Sequence, residues 1–308
     1  MDVAAFVNLE KGDETDKHRL KALRDNLPAN ALDKPQYGGG EFIKYPYKAQ
    51  KLIDDHPNAD IFFSSCWNTL TALDSALTPI HRKPIVYAAL VTHSHQTPPG
   101  STGIRAFDLD DLCPYWPALL KAIKPGMTQA AIVYDSFREG PRYQYTVVSK
   151  NPSGLQQIIP IPAIDANGNA KQTIGDDITR MTNPGDGLIV SACTVTGLLR
   201  EQIGQAVHAN SLVAICPERM YVERANNRCL MSYGPNLINL YAKAATDFII
   251  PIVRSGTLPP EQVNPLGYEL VINSTIANAL NIHISPTDTF TVTVHGQTIT
   301  IPITEIVR

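Results

Sequence analysis

Short apolar runs alternate with amphipathic segments along most of the chain. Several of the apolar runs are continuous, which is typical of strands that are buried on both faces of a parallel sheet. The predicted strands span residues 3–9, 59–64, 84–90, 129–134, 155–160, 187–191 and 212–216. The predicted helices span residues 15–26, 46–55, 68–77, 115–123, 173–181, 197–209, 237–254 and 274–280. This alternation predicts an α/β fold in which helices cover mostly parallel sheets.

The composition is that of a globular chain with a sizeable core. Hydrophobic residues make up 44% of the 308 residues, and a chain of this length favours two domains. The net charge of -3 gives no electrostatic reason to expect nucleic acid or an anionic membrane as a partner. Because no apolar run is long enough to cross a bilayer, no transmembrane segment is predicted.

Residues 1–9 form a strand-like apolar run and not a targeting signal. They lack a basic region and a cleavage site, so they are not a signal peptide. Two interpretations follow. Either a leader has been removed from a periplasmic or lipid-anchored extracellular protein, or Met1 is the native start of a cytoplasmic protein.

The cysteines form no Cys-x-x-Cys pair, and their number is odd. They are Cys66, Cys113, Cys193, Cys216 and Cys229. Their pairing cannot be deduced from spacing. We interpret them as free thiols that are packed as small apolar side chains.

The last quarter of the chain carries two family-like motifs. Met-Ser-Tyr-Gly ends at Gly234 and precedes a long amphipathic run, and Glu-Leu-Val-Ile-Asn occupies residues 269–273. These motifs resemble the ABC-transporter substrate-binding proteins of the tryptophan/tyrosine-binding type, which have the type I periplasmic-binding fold. In that family the first motif is a turn that starts a helix of one lobe, and the second is a strand of the other lobe. Weaker similarities to the family occur earlier in the chain, at residues 58–63, 83–89, 101–104 and 119–126, in the order in which the family has them.

The resemblance implies two Rossmann-like lobes with mostly parallel sheets and a ligand cleft between them. Lobe one would hold residues 1–107 and 231–257, and lobe two would hold residues 108–230 and 258–308. The implied function is that of a solute-binding component of an ABC importer, without enzymatic activity or a cofactor. The implied solute is an amino acid or a similar small carboxylate, often aromatic, and the implied protein partner is an ABC permease.

The tail departs from the family pattern. Alternating β-branched residues flank His295-Gly296, which predicts a C-terminal β-hairpin. We interpret it as an edge hairpin added to lobe two. An exposed edge also makes it a candidate homodimer contact.

Ligands of open α/β sheets bind beyond the carboxyl ends of the strands, so the candidate residues follow predicted strands. In lobe one they are Ser65, Cys66, Trp67, Asn68 and Thr92. Free N–H groups at a helix start favour an anion, and an indole can stack on a planar ligand. The alternative is that Ser65 and Asn68 only cap the helix and that Trp67 belongs to the core. The family often has an Asp where Thr92 stands.

In lobe two the candidates are Asp135, Ser136, Ser191, Thr194 and Glu218, and a last candidate, Tyr233, lies at the turn of the first family-like motif. Asp135 could meet a ligand amine, and Arg138 could meet a carboxylate through a bidentate contact. The alternative for this pair is a surface turn with a local salt bridge. The hydroxyl residues suit the lining of a cleft, and Glu218 directly follows a predicted strand.

The sequence gives weak signals for catalysis or metal binding. It has no nucleophile elbow, no Walker A loop and no His-Glu-x-x-His motif. His93 and His95, helped by His81, are a candidate metal pair, but a solvated loop is the preferred interpretation because a third ligand and a supporting second shell are lacking. Two alternatives stay open: a cytoplasmic small-molecule sensor of the same fold, and an enzyme that uses Cys66 as a nucleophile.

Overall fold

The chain divides into two compact units. The computed structural model describes residues 1–7, 14–32, 35–38, 44–77, 83–92, 97–223 and 229–308. Unit 1 comprises Met1–Asp108 and Asn236–Gly267, and unit 2 comprises Leu109–Pro235 and Tyr268–Arg308. These units differ from the predicted lobes in two segments, since 231–235 belongs to unit 2 and 258–267 belongs to unit 1.

Strands and helices alternate through both units, as the sequence predicts. The strands are β1 (Val3–Val7), β2 (Gln36–Tyr37), β3 (Ile61–Ser64), β4 (Ile85–Thr92), β5 (Ser101–Asp108), β6 (Gln129–Tyr134), β7 (Gln157–Pro162), β8 (Gly187–Val190), β9 (Val213–Cys216), β10 (Met231–Pro235), β11 (Gln262–Val263), β12 (Tyr268–Asn273), β13 (Thr289–Val294), β14 (Gln297–Pro302) and β15 (Glu305–Val307). The helices are α1 (Glu14–Asp25), α2 (Tyr45–Asp55), α3 (Trp67–Ala76), α4 (Leu109–Leu112), α5 (Tyr115–Ile123), α6 (Glu139–Lys150), α7 (Ile174–Met181), α8 (Thr194–Leu198), α9 (Arg200–Ala209), α10 (Met220–Glu223), α11 (Leu237–Ala244), α12 (Ile250–Ser255) and α13 (Ser274–Ala279). A π-helical segment, Ala245–Ile249, joins α11 to α12.

Unit 1 is built on a six-stranded parallel sheet in the order β11-β5-β4-β3-β1-β2. Continuous apolar strands such as β1 and β3 are buried throughout, as expected for a sheet that is covered on both faces. The ring of Tyr241 in α11 packs edge-on against Phe63 of β3 with centroids 5.3 Å apart. The edge strand β11 pairs with β5, so the segment around it belongs to unit 1.

Unit 2 contains a seven-stranded sheet in the order β15-β12-β10-β9-β8-β6-β7. Its neighbours are parallel except for the antiparallel pair β10 and β12. The predicted turn at residues 231–235 is therefore wrong: both edges of this segment pair with strands, and all five residues are buried. A Cβ on Gly234 would lie 1.9 Å from the Pro217 carbonyl oxygen, so only glycine fits this approach.

Helix α6 was not predicted, because polar residues hide its apolar face. Its buried positions are Pro141, Gln144, Val147 and Val148, which recur at helical spacing although one of them is polar. The Pro lies in the first helical turn, where the missing N–H has no cost. The predicted helix at 197–209 is also two helices, since α8 and α9 meet at Leu199.

The C-terminal hairpin is confirmed. Strands β13 and β14 pair around His295 and Gly296, whose φ values of 51° and 76° are those of a two-residue type I′ turn. The hairpin is a separate two-stranded sheet that packs on α5, so the predicted edge position is wrong. The edge of the main sheet is instead β15, which pairs with β12.

Two cysteines are joined, which overturns the interpretation of all five as free thiols. Cys216 ends β9, Cys229 precedes β10, and their disulfide spans Cα atoms 6.7 Å apart. Because β9 and β10 are neighbouring strands, the pairing follows from topology, which spacing along the chain does not reveal. Cys66, Cys113 and Cys193 are not part of a disulfide.

No described helix combines the length and the apolar character that a bilayer span requires.

Candidate functional site

In unit 1 the candidate residues form the turn from β3 into α3. Cys66 is the N-cap residue, so the prediction of Asn68 as the cap is wrong, and Asn68 lies in the first helical turn. The cap is held by Thr69, whose hydroxyl accepts a hydrogen bond from the Cys66 N–H at 3.2 Å. Ser64 Oγ and Thr69 Oγ1 are 2.7 Å apart, and both side chains are buried. This network fixes the backbone of the turn.

The hydroxyl of Ser65 is the unusual group in this turn. The residue is only 7% exposed, and its Oγ has no hydrogen-bond partner. A buried hydroxyl without a partner has lost its hydration without compensation, which is uncommon in native proteins and calls for a missing partner. It lies at the amino end of α3, where the backbone N–H groups of the first turn favour an anion.

Trp67 and Asn68 follow the cap and are half-buried. Trp67 packs partly against the core around Leu70 and Leu73, so the alternative of a core role holds for part of its ring. Its remaining surface can stack on a planar group. Thr92 ends β4, the strand beside β3, and its side chain is outside the described part of the structure. His81, His93 and His95 also lie outside the described residues.

In unit 2 the turn after β6 is held by the buried carboxylate of Asp135. Its Oδ1 accepts hydrogen bonds from the N–H groups of Phe137 and Arg138 at 2.9 and 3.2 Å. Its Oδ2 forms an ion pair with the Arg138 guanidinium. The local salt bridge predicted as the alternative is therefore present, with the carboxylate buried. Ser136, the next residue, is half-buried and lies at the same sheet edge.

The turn after β8 is held by Gln144, a residue that the sequence analysis missed. Its side chain donates to the Ala192 carbonyl at 3.0 Å and accepts from the Ala192 N–H at 2.8 Å. Ser191 is fully buried in this turn, whereas Thr194 is half-buried. Burial raises the pKa of the Cys193 thiol, so this thiol stays protonated near neutral pH and is a poor nucleophile.

The segment after β9 adds Glu218, which is half-buried, and Tyr221, which is buried. Burial, and next the negative charge of Glu218, raises the pKa of the Tyr221 phenol well above its usual range. The Asn273 side chain donates to the Val222 carbonyl at 2.9 Å, and the disulfide closes the same segment. The segment is thus tied down on two sides.

Tyr233 lies inside β10 and not after a strand end. Its ring is flanked by the rings of Tyr115 and Tyr268, each with its centroid 5.7 Å away. The indole of Trp116 donates to the Tyr233 carbonyl at 3.0 Å. Burial raises the pKa of Tyr233 to about 12. The sequence analysis missed both flanking tyrosines, although Tyr268 precedes the quoted Glu-Leu-Val-Ile-Asn motif directly.

Sheet order brings the predicted residues together within each unit. In unit 1, β3 and β4 are neighbours, so the turn after β3 and Thr92 share one sheet edge. In unit 2, β8 lies between β6 and β9, so the turns that follow these three strands are adjacent. Each unit therefore presents one hydroxyl-rich set of turns at the carboxyl edge of its parallel strands, the usual place for a ligand.

Solved structures share this architecture across nearly the whole chain. A conserved domain protein from Vibrio cholerae matches 92% of this chain and 96% of its own, with a TM-score of 0.74 and 19% identity. The ABC domain in complex with L-Trp from Streptococcus pneumoniae has the same coverage, with a TM-score of 0.71 and 16% identity. The substrate-binding protein CD0873 from Clostridium difficile matches 94% of this chain and 97% of its own, with a TM-score of 0.60 and 17% identity.

These matches confirm the type I periplasmic-binding fold predicted from the sequence. Neither a protein-family model nor a curated protein sequence matches the chain. The same fold occurs in an allitol-bound solute-binding protein from Agrobacterium vitis and in a LacI transcriptional regulator from Lactobacillus brevis. The fold therefore does not distinguish one solute class from another.

Proposed function

We propose that the chain binds a small solute at the carboxyl edges of its two parallel sheets and serves as the solute-binding component of an ABC importer. The observation that carries the proposal is the buried hydroxyl of Ser65, which lacks a partner at the amino end of α3. A solute oxygen at this position would satisfy the hydroxyl and would meet the free N–H groups of the helix. The proposal assigns no catalytic step and no cofactor.

The solute we propose is an amino acid or a similar small carboxylate, with an aromatic one among the candidates. The amino end of α3 supports the carboxylate. The half-buried indole of Trp67 and the cluster of three tyrosine rings formed by Tyr233 with Tyr115 and Tyr268 support a planar group. The carboxylate of Asp135 already accepts three local hydrogen bonds, so it supports an ammonium contact less strongly than the sequence predicted.

The chain connectivity supports a two-unit mechanism. The chain passes between the units three times, after Asp108, after Pro235 and after Gly267. In this fold, contacts of one solute with both units would shift the population towards the conformation that makes both sets of contacts. An ABC permease would bind the chain in that conformation. This partner is implied by the resemblance.

The disulfide supports a location outside the cytoplasm. Cys216 and Cys229 are bonded, and such bonds persist mainly in oxidising compartments. We therefore propose the periplasm or the outer cell surface.

A thermal-shift panel of amino acids, small carboxylates and polyols tests the proposal. A solute that binds only the folded chain raises its melting temperature by mass action. We expect at least one small carboxylate to raise the melting temperature. Ser65→Ala should weaken the binding of that solute about tenfold. Ser149→Ala is the matched control, because Ser149 Oγ is also buried without a partner but lies in α6. The same loss in both variants would contradict a ligand role for Ser65.

A sensor function is the second candidate, because a LacI transcriptional regulator shares the fold. The two functions differ in the protein partner. If the chain is an importer component, its addition should stimulate the ATPase activity of a purified ABC permease in proteoliposomes, whereas a sensor should not stimulate it.

An enzyme that uses Cys66 has less support. The thiol lies 3.6 Å from Thr69 Oγ1 within the cap network, and this neighbour is no base. Chemical conversion of a bound solute by the wild type, lost in Cys66→Ala, would favour the enzyme over both binding functions.

A further inference from the structure

One six-residue pattern occurs at the same place in both units. Ser-x-Cys-x-x-Thr is found at residues 64–69 and again at residues 191–196. The first copy starts at the end of β3, which lies between β1 and β4, the first and fourth strands of unit 1. The second copy starts directly after β8, which lies between β6 and β9, the first and fourth strands of unit 2. The two copies are therefore topologically equivalent.

The two copies also have the same local geometry. Cys66 and Cys193 are both N-cap residues, with φ and ψ of -164° and 175° in the first and -155° and 162° in the second. The hydroxyl of Thr69 donates to the Cys66 carbonyl at 3.1 Å, and that of Thr196 donates to the Cys193 carbonyl at 2.8 Å. Each of these hydroxyls lies 3.4–3.6 Å from the thiol of its cysteine.

The repeated Ser and Thr are more deeply buried than the other positions of the two copies. The Ser and Thr of both copies are fully buried and form hydrogen bonds within their turns, and Thr196 is also hydrogen-bonded to the Tyr221 side chain. Trp67, Asn68 and Thr194 are half-buried, and so is Ala192. The repeated Ser and Thr thus hold the backbone, and the half-buried residues between them reach the surface of the sheet edge, whereas Ser65 and Val195 stay buried.

We infer that this pattern is one ligand loop built twice, in which Ser, Cys and Thr position the backbone and the residues between them select the solute. This inference rests on the proposed function. The first copy offers a hydroxyl, an indole and a carboxamide through Ser65, Trp67 and Asn68. The second copy offers the methyl group of Ala192 and the hydroxyl of Thr194, since Val195 is buried.

The first copy is therefore the selective half. Its indole suits a planar group, and its hydroxyl and carboxamide suit an oxygen-bearing group that exchanges hydrogen bonds. The preferred solute is a planar or aromatic molecule with a carboxylate or carbonyl group. The two cysteines act as helix caps, and serine is at least as good a cap.

The test compares three sets of variants by calorimetric titration with an aromatic and an aliphatic carboxylate. Cys66→Ser with Cys193→Ser should change both dissociation constants less than about twofold. Thr69→Val and Thr196→Val should each raise the dissociation constants of both solutes by a similar factor, about tenfold. The solute that binds more tightly to the wild type should still bind more tightly to these variants. Trp67→Ala and Asn68→Ala should lower the preference for the aromatic solute about tenfold. Thr146→Val, on the exposed side of α6, is the control that should change neither constant.

Each result has a definite meaning. Loss of binding in the double serine variant, with binding intact in Thr69→Val, would assign the thiols to the solute and overturn the inference. An unchanged preference in Trp67→Ala and Asn68→Ala would overturn the selective role of the first copy while leaving the proposed function standing. If the wild type binds no solute, the proposed function and the inference both fall. Circular dichroism and melting temperature verify that each variant is folded.

Discussion

The side-chain amide of Gln144 is hydrogen-bonded to both backbone groups of Ala192, at 2.8 and 3.0 Å. One buried residue of α6 thereby fixes the turn that follows β8. We expect Gln144→Leu to leave two backbone groups unpaired and to lower the free energy of unfolding by about 1–3 kcal/mol. Urea denaturation measures this loss. The exposed Gln156→Leu is the control and should have little effect. An equal loss in both variants would contradict the role of Gln144.

Gly234 allows β10 to pass close to Pro217. Because an added Cβ would lie 1.9 Å from the Pro217 carbonyl oxygen, we expect Gly234→Ala to destabilise the protein by about 3 kcal/mol or more, or to prevent folding. Soluble yield and melting temperature measure the effect. Gly126→Ala is the matched control, since a Cβ there meets nothing within 4 Å. A stable Gly234→Ala variant would show that β10 can move away from Pro217.

The disulfide closes the segment that carries Glu218 and Tyr221. We expect Cys216→Ala with Cys229→Ala to lower the free energy of unfolding by about 2–4 kcal/mol, because the unfolded chain regains the freedom that the bond removes. A reductant should lower the melting temperature of the wild type and leave that of the double variant unchanged. If the reductant affects both equally, the loss comes from another source.

The thiol of Cys193 should make stability fall at alkaline pH. Burial raises its pKa in the folded protein, whereas an unfolded cysteine has a pKa of about 8.5. The folded state therefore holds its proton more tightly, and the stabilisation is complete below about pH 8.5. It is lost as the pH rises towards the folded value, because the unfolded state ionises first.

Denaturation of the wild type and of Cys193→Ser between pH 7 and 10 measures this effect. We expect a shallower decline in the variant, since serine does not ionise in this range. Cys113→Ser controls for the removal of a buried thiol elsewhere in unit 2. Parallel profiles for the wild type and Cys193→Ser would show that Cys193 does not contribute.

Much of the fold could be predicted from local pattern. Strand β6 and helix α5 were predicted with the bounds that the structure shows, because each is a compact apolar run between clear breaks. Residues 231–235 were wrongly predicted as a turn because the Met-Ser-Tyr-Gly motif is a turn in the family that it resembles. Their strand conformation depends on pairing with β9 and β12, and β12 is remote in sequence.

The positions of the turns that make up the candidate site could be predicted. The rule that ligands meet the ends of parallel strands located the turns at Ser65 and Ser191. The salt bridge between Asp135 and Arg138 was predicted as an alternative, since both residues belong to one turn. The binding of Gln144 to the backbone of a turn 48 residues away was not predicted, because it depends on side-chain geometry between elements that periodicity does not report.

The packing of α11 has a consequence for synthesis. Unit 1 begins the chain, yet α11, which packs on α1 and β4, and the edge strand β11 come after most of unit 2. The ring of Tyr241 meets Phe63 only when the later helix has arrived. During synthesis the core of unit 1 therefore stays incomplete until the ribosome has produced most of unit 2. Unit 1 therefore cannot complete its fold before unit 2 has been synthesised. In unit 2 the first five strands, β6 to β10, come from one continuous stretch of chain, so we expect unit 2 to fold first.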